Sequence, residues 1–238
     1  MTGGTGGIGT AICRALHEQG TKVVAAYNRN GDHDSAKAWQ AQQGYEVDLI
    51  YVDVSCYQSC AGMAGRLEQQ YGGIDVLVNN AGITRDVQLR KMDLEQWRTV
   101  LETNLTSVFN VTRHFINGMI DRQYGRIINI SSINGQKGQF GQANYAAAKA
   151  GMHGFTKTLA QEVAAKGITV NTVSPGYVET KMVMNVPEDI REKIVAQIPV
   201  GRLGKPEEIA RSVVFLASED SSFITGANLA INGGQYLL

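Results

Sequence analysis

Short runs of apolar, often β-branched residues alternate along this chain with longer segments in which apolar positions recur at helical spacing. Such alternation is typical of right-handed βαβ units built around a parallel sheet. The pattern predicts strands at Lys22–Ala26, Asp48–Val52, Val76–Asn79, Arg126–Ile130, Thr169–Val173 and Asn228–Ile231. It predicts helices at Ile8–Gln19, Ser35–Gln43, Ser55–Tyr71, Leu94–Asp121, Asn144–Lys166 and Pro206–Ala217. We therefore expect a single α/β domain over residues 1–238, with a doubly wound parallel sheet.

The amino-terminal end departs from this pattern. A glycine-rich loop that should follow the central strand of such a sheet is preceded only by Met1 and Thr2. Without that strand, its two neighbours would leave unpaired backbone groups in the core, which is costly. We therefore expect the first strand to be truncated here, and a run of about five to eight apolar residues to precede Thr2 in the natural protein.

A second departure is the segment Glu179–Arg202, which is polar and contains Pro187 and Pro199. Polar, proline-containing connections of this length often lie over a binding site and move. The sequence predicts an irregular, mobile lid over residues 179–202.

Charge and cysteine usage exclude several classes of protein. Lys and Arg together equal Asp and Glu at 22 each, so no net field attracts nucleic acid or an acidic membrane surface. No apolar stretch reaches the ~18 residues of a membrane-spanning helix. Three cysteines without a secretory signal indicate reduced thiols and a cytoplasmic protein. The four histidines show no ligand spacing, so no metal is expected.

The glycine-rich loop, TGGTGGIG at Thr2–Gly9, leads directly into the first predicted helix. Glycines let backbone N–H groups approach a pyrophosphate, and a helix amino terminus adds partial positive charge. The spacing differs from the GxGxxG fingerprint, and a turn without function is the alternative for such a loop in isolation. The residues predicted to bind phosphate are Gly3, Gly7, Ile8 and Gly9.

Acid–base chemistry is predicted around Tyr145. Lys149 lies four residues later on a predicted helix, so the phenol and the ammonium project from one face. A neighbouring ammonium stabilises the phenolate and lowers the pKa of the tyrosine, which suits a proton donor. Ser132, at a strand end, can hydrogen-bond a ketone oxygen as negative charge builds there. Alone, the Tyr–Lys pair would be read as ordinary helix surface, but the serine, the phosphate loop and NNAG at Asn79–Gly82 favour a site.

In this order, and with PGYVET at Pro175–Thr180 and ITGANLAINGG at Ile224–Gly234, these motifs resemble the short-chain dehydrogenase/reductase family over the whole chain. The resemblance implies a Rossmann-type fold and hydride transfer from a nicotinamide cofactor to a ketone. It implies that Lys149 also holds the nicotinamide ribose, and that an asparagine positions a water in a proton relay that reloads the tyrosine. The implied catalytic set is Asn104, Ser132, Tyr145 and Lys149.

The resemblance also implies cofactor contacts, largely through the backbone. Asp53 corresponds to an adenine contact. The cleft is lined by Asn79, Ala81, Gly82, Pro175, Gly176, Val178 and Thr180, the last two clamping the carboxamide. At the end of the predicted strand Lys22–Ala26, the residues from Ala26 to Asn30 include no acid where NAD-preferring relatives carry one, and Arg29 can pair with a 2′-phosphate. NADPH is therefore the expected cofactor, although Arg29 could instead be a solvated turn residue.

Within the family, NNAGITRD at 79–86 and SSINGQKGQFGQ at 131–142 are most similar to acetoacetyl-CoA reductases of polyhydroxyalkanoate synthesis. The implied substrate contacts are Asp86, Gln139, Phe140, Gln142 and Tyr177. The rings of Phe140 and Tyr177 can enclose a short acyl chain, and the glutamine amides can hydrogen-bond the thioester and keto oxygens. The alternative is that this segment is a solvated glycine-rich loop. The resemblance implies (R)-3-hydroxybutyryl-CoA as product, formed by pro-S hydride transfer.

The resemblance further implies a homotetramer, for which a helix face of small residues would permit close packing: Ala146, Ala150, Gly151 and Gly154. Two alternative functions remain at this point. One is a 3-oxoacyl-carrier-protein reductase that presents a basic surface through Arg122, Arg126 and Lys166. The other is a non-catalytic dinucleotide sensor, because a fold alone does not establish a function.

Overall fold

The computed structural model describes residues 1–28 and 33–237, and of Met182 only the backbone. The expected α/β architecture is confirmed. The strands are β1 (Val24–Tyr27), β2 (Asp48–Tyr51), β3 (Val76–Asn79), β4 (Gly125–Ile130), β5 (Ile168–Pro175) and β6 (Asn228–Ile231). The helices are α1 (Gly7–Glu18), α2 (His33–Ala41), α3 (Tyr57–Tyr71), α4 (Leu94–Leu101), α5 (Ser107–Arg122), α6 (Asn134–Lys137), α7 (Ala143–Val163), α8 (Lys181–Met184), α9 (Glu188–Val195) and α10 (Pro206–Ala217).

All strand pairs in the described residues are parallel. β1 pairs with β2, and a second sheet runs in the order β3-β4-β5-β6. Every residue of β4 and β5 is buried, as expected for strands covered by helices on both faces. Because the strands are parallel, their carboxyl ends share one edge, where α/β sheets bind ligands.

Met1 and Thr2 lie between β1 and β3. Thr2 forms a parallel bridge with Ala26, and its N–H donates to the Val78 carbonyl at 3.0 Å. The Met1 amine donates to the Val24 carbonyl at 3.1 Å, and burial lowers the pKa of this amine. Among the described residues β1 and β3 share no further pairing, and a cavity of about 830 Å³ extends between their amino-terminal halves. The gap expected from the sequence is therefore present.

An engineered variant with about six apolar residues added before Met1 is expected to melt at a higher temperature, by on the order of 5 °C. The added strand would bond both exposed edges, fill the cavity and replace a buried amine by an amide. Thermal unfolding measures the effect. A Gly/Ser extension of equal length is the control, and an equal rise with that control would contradict the explanation.

The helix predicted over Leu94–Asp121 is present and contains a turn of a different type. A π-helical turn at Glu102–Thr106, which the sequence did not predict, lies between α4 and α5. Such turns occur frequently at functional sites. Here the turn carries Asn104, whose fully buried side-chain amide bonds the backbone of Ile83.

The prediction of an irregular segment over 179–202 was also wrong, because it contains α8 and α9. The Thr180 hydroxyl accepts a hydrogen bond from the Val183 N–H at the start of α8. Pro187 precedes α9, whose first turn carries Glu188 and Asp189, where acidic side chains favour a helix amino terminus. A lid role for this segment stays a prediction.

A buried arginine ties the amino end of β4 to its surroundings. Arg126 is 3% exposed; its Nε donates to the Ser218 carbonyl at 3.2 Å, and its Nη1 donates to the carbonyls of Gly125 and Gly167 at 3.0 and 3.3 Å. The guanidinium also lies over the Tyr124 ring, 4.6 Å from the centroid. Arg126 therefore cannot contribute to a basic docking surface, which corrects the sequence interpretation.

Arg126→Met is expected to lower the free energy of unfolding by about 2 kcal/mol, because it leaves buried carbonyl oxygens without a donor. Denaturant unfolding measures the loss. The exposed Arg113→Met is the matched control and is expected to stay within about 0.5 kcal/mol of the unchanged protein. Equal effects of the two substitutions would show that the carbonyl contacts contribute nothing.

Candidate active site

The glycine loop and the NNAG segment are joined at the carboxyl edge of the sheet. The Thr2 hydroxyl oxygen accepts hydrogen bonds from the N–H groups of Asn80 and Ala81 at 3.0 and 3.1 Å. The Asn80 side-chain Nδ2 donates to the carbonyls of Thr2 and Gly3, both at 3.1 Å. Two segments almost 80 residues apart in sequence therefore form one rigid wall.

The backbone of the glycine loop, which carries few side chains, lies along this wall and is called the glycine cradle below. Gly3 has a φ of 61°, and a Cβ at this position would stand 3.0 Å from the Asn80 Nδ2. A Cβ on Gly7 would stand 3.1 Å from the Thr180 Cγ2. Among the described residues no side chain caps the amino terminus of α1 at Gly6, so its first N–H groups face the cradle. This backbone fits a pyrophosphate.

The proposed catalytic side chains meet between β4 and α7. Lys149 is 3% exposed; its Nζ donates to the Ile130 carbonyl at 2.8 Å and stands 5.6 Å from the centroid of the Tyr145 ring. The Ser132 hydroxyl lies near enough to the Tyr145 hydroxyl to act on its pKa. The Ser132 oxygen also accepts the Asn134 N–H at 3.1 Å. The structure thus places the serine, tyrosine and lysine together.

Burial dominates the titration of both groups. It raises the pKa of Tyr145, although the hydrogen bond from Ser132 opposes this shift, and it lowers the pKa of Lys149 to about 8. A lowered pKa was expected for the tyrosine, but the net shift is upward, because desolvation is its largest cause and Lys149 Nζ is directed at the Ile130 carbonyl. A raised pKa keeps the phenol protonated, as a proton donor requires.

Asn104 contributes to this site from the π-helical turn. Its Oδ1 accepts the Ile83 N–H and its Nδ2 donates to the Ile83 carbonyl, both at 2.8 Å. A Cβ on Gly82 would stand 3.2 Å from the Asn104 Oδ1 and 3.5 Å from the Lys149 Nζ. The side chain of Asn104 therefore fixes the cleft wall beside the lysine.

Asn144 is a site residue that the sequence interpretation missed. It is fully buried, and its Oδ1 accepts the Tyr145 N–H at 2.8 Å. Its Nδ2 donates to the carbonyls of Arg85 and Gln96 at 3.2 and 3.1 Å. Asn144 is the second residue of α7, and these hydrogen bonds connect the first turn of the helix to Arg85 and Gln96.

The predicted substrate residues are partly assembled. Gln142 Nε2 donates to Asp86 Oδ2 at 2.7 Å, and Gln142 Oε1 accepts from Asn134 Nδ2 at 2.9 Å. Tyr177 is half-buried; burial raises its pKa, against a hydrogen bond with Asn134 that lowers it. Asn134, also missed from sequence, thus holds Gln142 and lies near Tyr177.

Two residues of this group lie differently from the expectation. Phe140 is 81% exposed, so in this structure its ring does not form a buried wall of an acyl pocket. Gln139 Oε1 accepts from Lys137 Nζ at 3.1 Å. Both residues follow a glycine with positive φ at position 138, in a loop that leaves α6 toward solvent.

The other predicted cofactor residues line the same edge. Asp53 Oδ1 accepts from the N–H and hydroxyl of Ser55 at 3.0 and 2.6 Å. Pro175 ends β5, Gly176 N–H donates to the Ile231 carbonyl at 2.8 Å, and buried Val178 pairs with Gly204. Arg29 lies outside the described residues. In the described part of the chain, no group of His, Cys, Asp or Glu could hold a metal ion.

Comparisons with known proteins agree with this geometry. A family model described as enoyl-(acyl carrier protein) reductase matches residues 3–235. The chain is 58% identical over 237 residues to an acetoacetyl-CoA reductase of Rhizobium meliloti, covering 99% of this chain and 97% of the relative. It is 53% identical over 240 residues to an acetoacetyl-CoA reductase of Cupriavidus necator, covering 100% and 97%. A 3-oxoacyl-[acyl-carrier-protein] reductase of Vibrio cholerae is 44% identical over 238 residues, covering 100% and 96%. The chain therefore belongs to the short-chain dehydrogenase/reductase family.

Proposed function

We propose that this protein reduces acetoacetyl-CoA to (R)-3-hydroxybutyryl-CoA with NADPH, and so supplies a precursor for polyhydroxybutyrate in the cytoplasm. The observation that carries the proposal is the contact of Ser132 with Tyr145 beside Lys149, at the sheet edge that also holds the glycine cradle. Relatives at 51–58% identity that bear the name acetoacetyl-CoA reductase support the substrate.

The bound nicotinamide would supply a hydride to the keto carbon. Ser132 is placed to donate to the keto oxygen: the Asn134 N–H holds its oxygen, and its single hydroxyl hydrogen, directed at Tyr145 in the free protein, would turn to the ketone. Tyr145, protonated through burial, gives that oxygen a proton as the carbonyl becomes an alcohol. The two hydroxyls therefore act on one oxygen in succession.

Lys149 supports the tyrosine from the buried side. Its ammonium is fixed by the Ile130 carbonyl and can hold the ribose of the cofactor while favouring the phenolate that remains after proton transfer. Both amide atoms of Asn104 are committed to Ile83, so the relay water would be held by the Asn104 backbone carbonyl rather than by its side chain. The side chain then acts by holding the turn.

Substrate orientation is proposed to depend on the Asp86–Gln142 pair. With Gln142 Oε1 facing Asn134 and Nε2 facing Asp86, one N–H of the Gln142 amide remains to be donated to a thioester oxygen. That contact would direct the keto group, and not the thioester, to Ser132. Gln139 and Phe140 are proposed to contact the acyl-CoA at the entrance of the site, where both side chains are accessible.

NADPH is proposed over NADH because the described end of β1, Ala26–Asn28, offers no carboxylate to repel a 2′-phosphate, and Arg29 follows directly. The test is the catalytic efficiency for acetoacetyl-CoA reduction with each cofactor, for the unchanged protein and for Arg29→Ala. A clear preference for NADPH that falls in the variant is expected. Equal efficiencies with both cofactors would reject the assignment, and absence of turnover with either would favour a dinucleotide sensor.

The docking surface proposed for the carrier-protein alternative is weakened. Arg126 is buried, and Arg122 donates to the Gly72 and Ile74 carbonyls and lies 3.9 Å from Asp75. Arg122 and Lys166 are exposed, but the guanidinium of Arg122 is engaged by its own chain. All three also lie near the amino end of β4 or β5, opposite the site.

A homotetramer is proposed as the assembled form. On α7, Ala150 and Gly154 are exposed, and a Cβ on Gly154 would meet no atom within 4 Å. Gly151 instead faces Leu105 of its own chain. Small exposed residues on a helix permit close approach of a second helix, so mass measurement in solution is expected to report four chains.

A further inference from the structure

The third residue on the catalytic face of α7 has no part in the mechanism above. Tyr145, Lys149 and His153 follow one another at intervals of four residues, so they share one face of the helix. His153 is half-buried, and its Nε2 lies 3.0 Å from the hydroxyl oxygen of Ser131. Ser131 is the direct neighbour of Ser132.

The Ser131 hydroxyl connects this histidine to the catalytic lysine. Its oxygen donates to the Lys149 backbone carbonyl at 2.8 Å. A hydroxyl has a single hydrogen, so the contact with His153 must run the other way, from Nε2–H to the serine oxygen. The order of donation is therefore His153 to Ser131 to Lys149, which also assigns the Nε2–H tautomer to the imidazole.

Two hydrogen bonds therefore connect Lys149 to the end of β4, one through its side chain and one through its backbone. Its side-chain Nζ bonds the Ile130 carbonyl, and its backbone carbonyl is bonded by the Ser131 hydroxyl. Ser131 is 4% exposed, so water does not replace these contacts readily. We expect the Ser131–Lys149 hydrogen bond to set the spacing between the end of β4, next to Ser132, and α7, which carries Tyr145.

We propose that His153 is a positioning residue for ketone reduction: through Ser131 it fixes the distance between the Ser132 hydroxyl and the Tyr145–Lys149 pair. The proposal rests on the reductase function above. Burial and the nearby Lys157 both lower the pKa of His153, so the imidazole is neutral at pH 7 and its tautomer is set by the serine alone. A small displacement between groups that act on one oxygen lowers turnover sharply.

The test uses the full-length protein with NADPH and a short 3-keto thioester that the unchanged protein reduces. His153→Leu, which keeps the bulk and removes the donor, is expected to lower kcat on the order of 10-fold while KM for both substrates changes by less than about twofold. His153→Gln is expected to restore most of kcat, because its Nε2 stands the same number of bonds from Cα. The control is His17→Leu, which replaces a half-buried histidine on α1 and is expected to leave kcat unchanged.

A double-mutant cycle separates positioning from general stability. If His153 acts through Ser131, adding His153→Leu to Ser131→Ala is expected to cause little further loss of kcat. Full additivity of the two losses, failure of His153→Gln to rescue, or an unchanged kcat in His153→Leu would each overturn the proposal. Lack of turnover by the unchanged protein would instead count against the proposed function, so the two failures are distinguishable.

Discussion

Tyr145→Phe is expected to lower the turnover of ketone reduction on the order of 10³-fold or more while leaving NADPH affinity within about twofold. The substitution removes only the hydroxyl, which is the one group placed to protonate the keto oxygen, and keeps the ring that packs beside Lys149. Ser132 would retain its hydrogen bond to the ketone but has no proton to give up at neutral pH. Single-turnover kinetics and cofactor titration measure the two effects separately.

A second tyrosine in the same site provides the control. Burial raises the pKa of Tyr177 as it does that of Tyr145, yet the side chain that opposes the shift is Asn134 for Tyr177 and Ser132 for Tyr145. Tyr177→Phe is therefore expected to change KM more than kcat. If Tyr145→Phe kept most of its turnover, or if Tyr177→Phe lost as much, the assignment of the proton donor would be wrong.

Lys149→Met is expected to abolish reduction and yet to stabilise the fold by about 2 kcal/mol at pH 7. Burial lowers the pKa of Lys149 from 10.5 to about 8, so holding the charged form inside costs about 3 kcal/mol at 1.36 kcal/mol per pKa unit. Methionine removes this cost but leaves the Ile130 carbonyl without its donor, and that loss destabilises the variant by about 1 kcal/mol. Denaturant unfolding gives the difference.

The pH dependence of that difference has a definite sign. Below pH 8 the lysine is charged in both the folded and the unfolded chain, so the full cost of burial is present. Between about pH 8 and 10.5 the folded protein binds fewer protons than the unfolded chain, and its stability rises with pH. The advantage of Lys149→Met is therefore expected to be largest at pH 7 and to shrink by pH 9.5.

Lys157→Met is the matched control for this experiment. Lys157 is exposed on the same helix, and its replacement is expected to change neither stability beyond about 0.5 kcal/mol nor turnover. A Lys149→Met protein that is less stable than the parent, by an amount independent of pH, would show that burial of the ammonium is not costly.

Periodicity predicted most of the fold because each element satisfies a local rule. β3, β6 and α10 have the predicted bounds, and the other strands differ by one or two residues at their ends. The π-helical turn at Glu102–Thr106 was not predictable in this way, since periodicity does not record contacts such as those between Asn104 and Ile83, 21 residues earlier. The helices within 179–202 were not predicted, because a polar composition is typical of exposed helices as well as of irregular segments.

At the site, the proposed catalytic residues could be named from local spacing and from the resemblance, but the residues that hold them in place could not. Asn144 reaches Arg85, 59 residues away, and Gln142 reaches Asp86, 56 residues away. Such contacts depend on how distant strand ends meet, which no local pattern records. The net shift of the Tyr145 pKa was predicted with the wrong sign for the same reason, because the depth of burial is a property of the assembled fold.

The central claim is that the protein reduces acetoacetyl-CoA with NADPH, and one comparison tests it most directly. In one preparation, the catalytic efficiency for acetoacetyl-CoA is measured against that for the same acetoacetyl group on an acyl carrier protein. We predict efficient NADPH-dependent reduction of the CoA thioester, exceeding that of the carrier-bound substrate, with (R)-3-hydroxybutyryl-CoA as product. Preference for the carrier-bound substrate would contradict the claim and assign the enzyme to 3-oxoacyl-carrier-protein reduction.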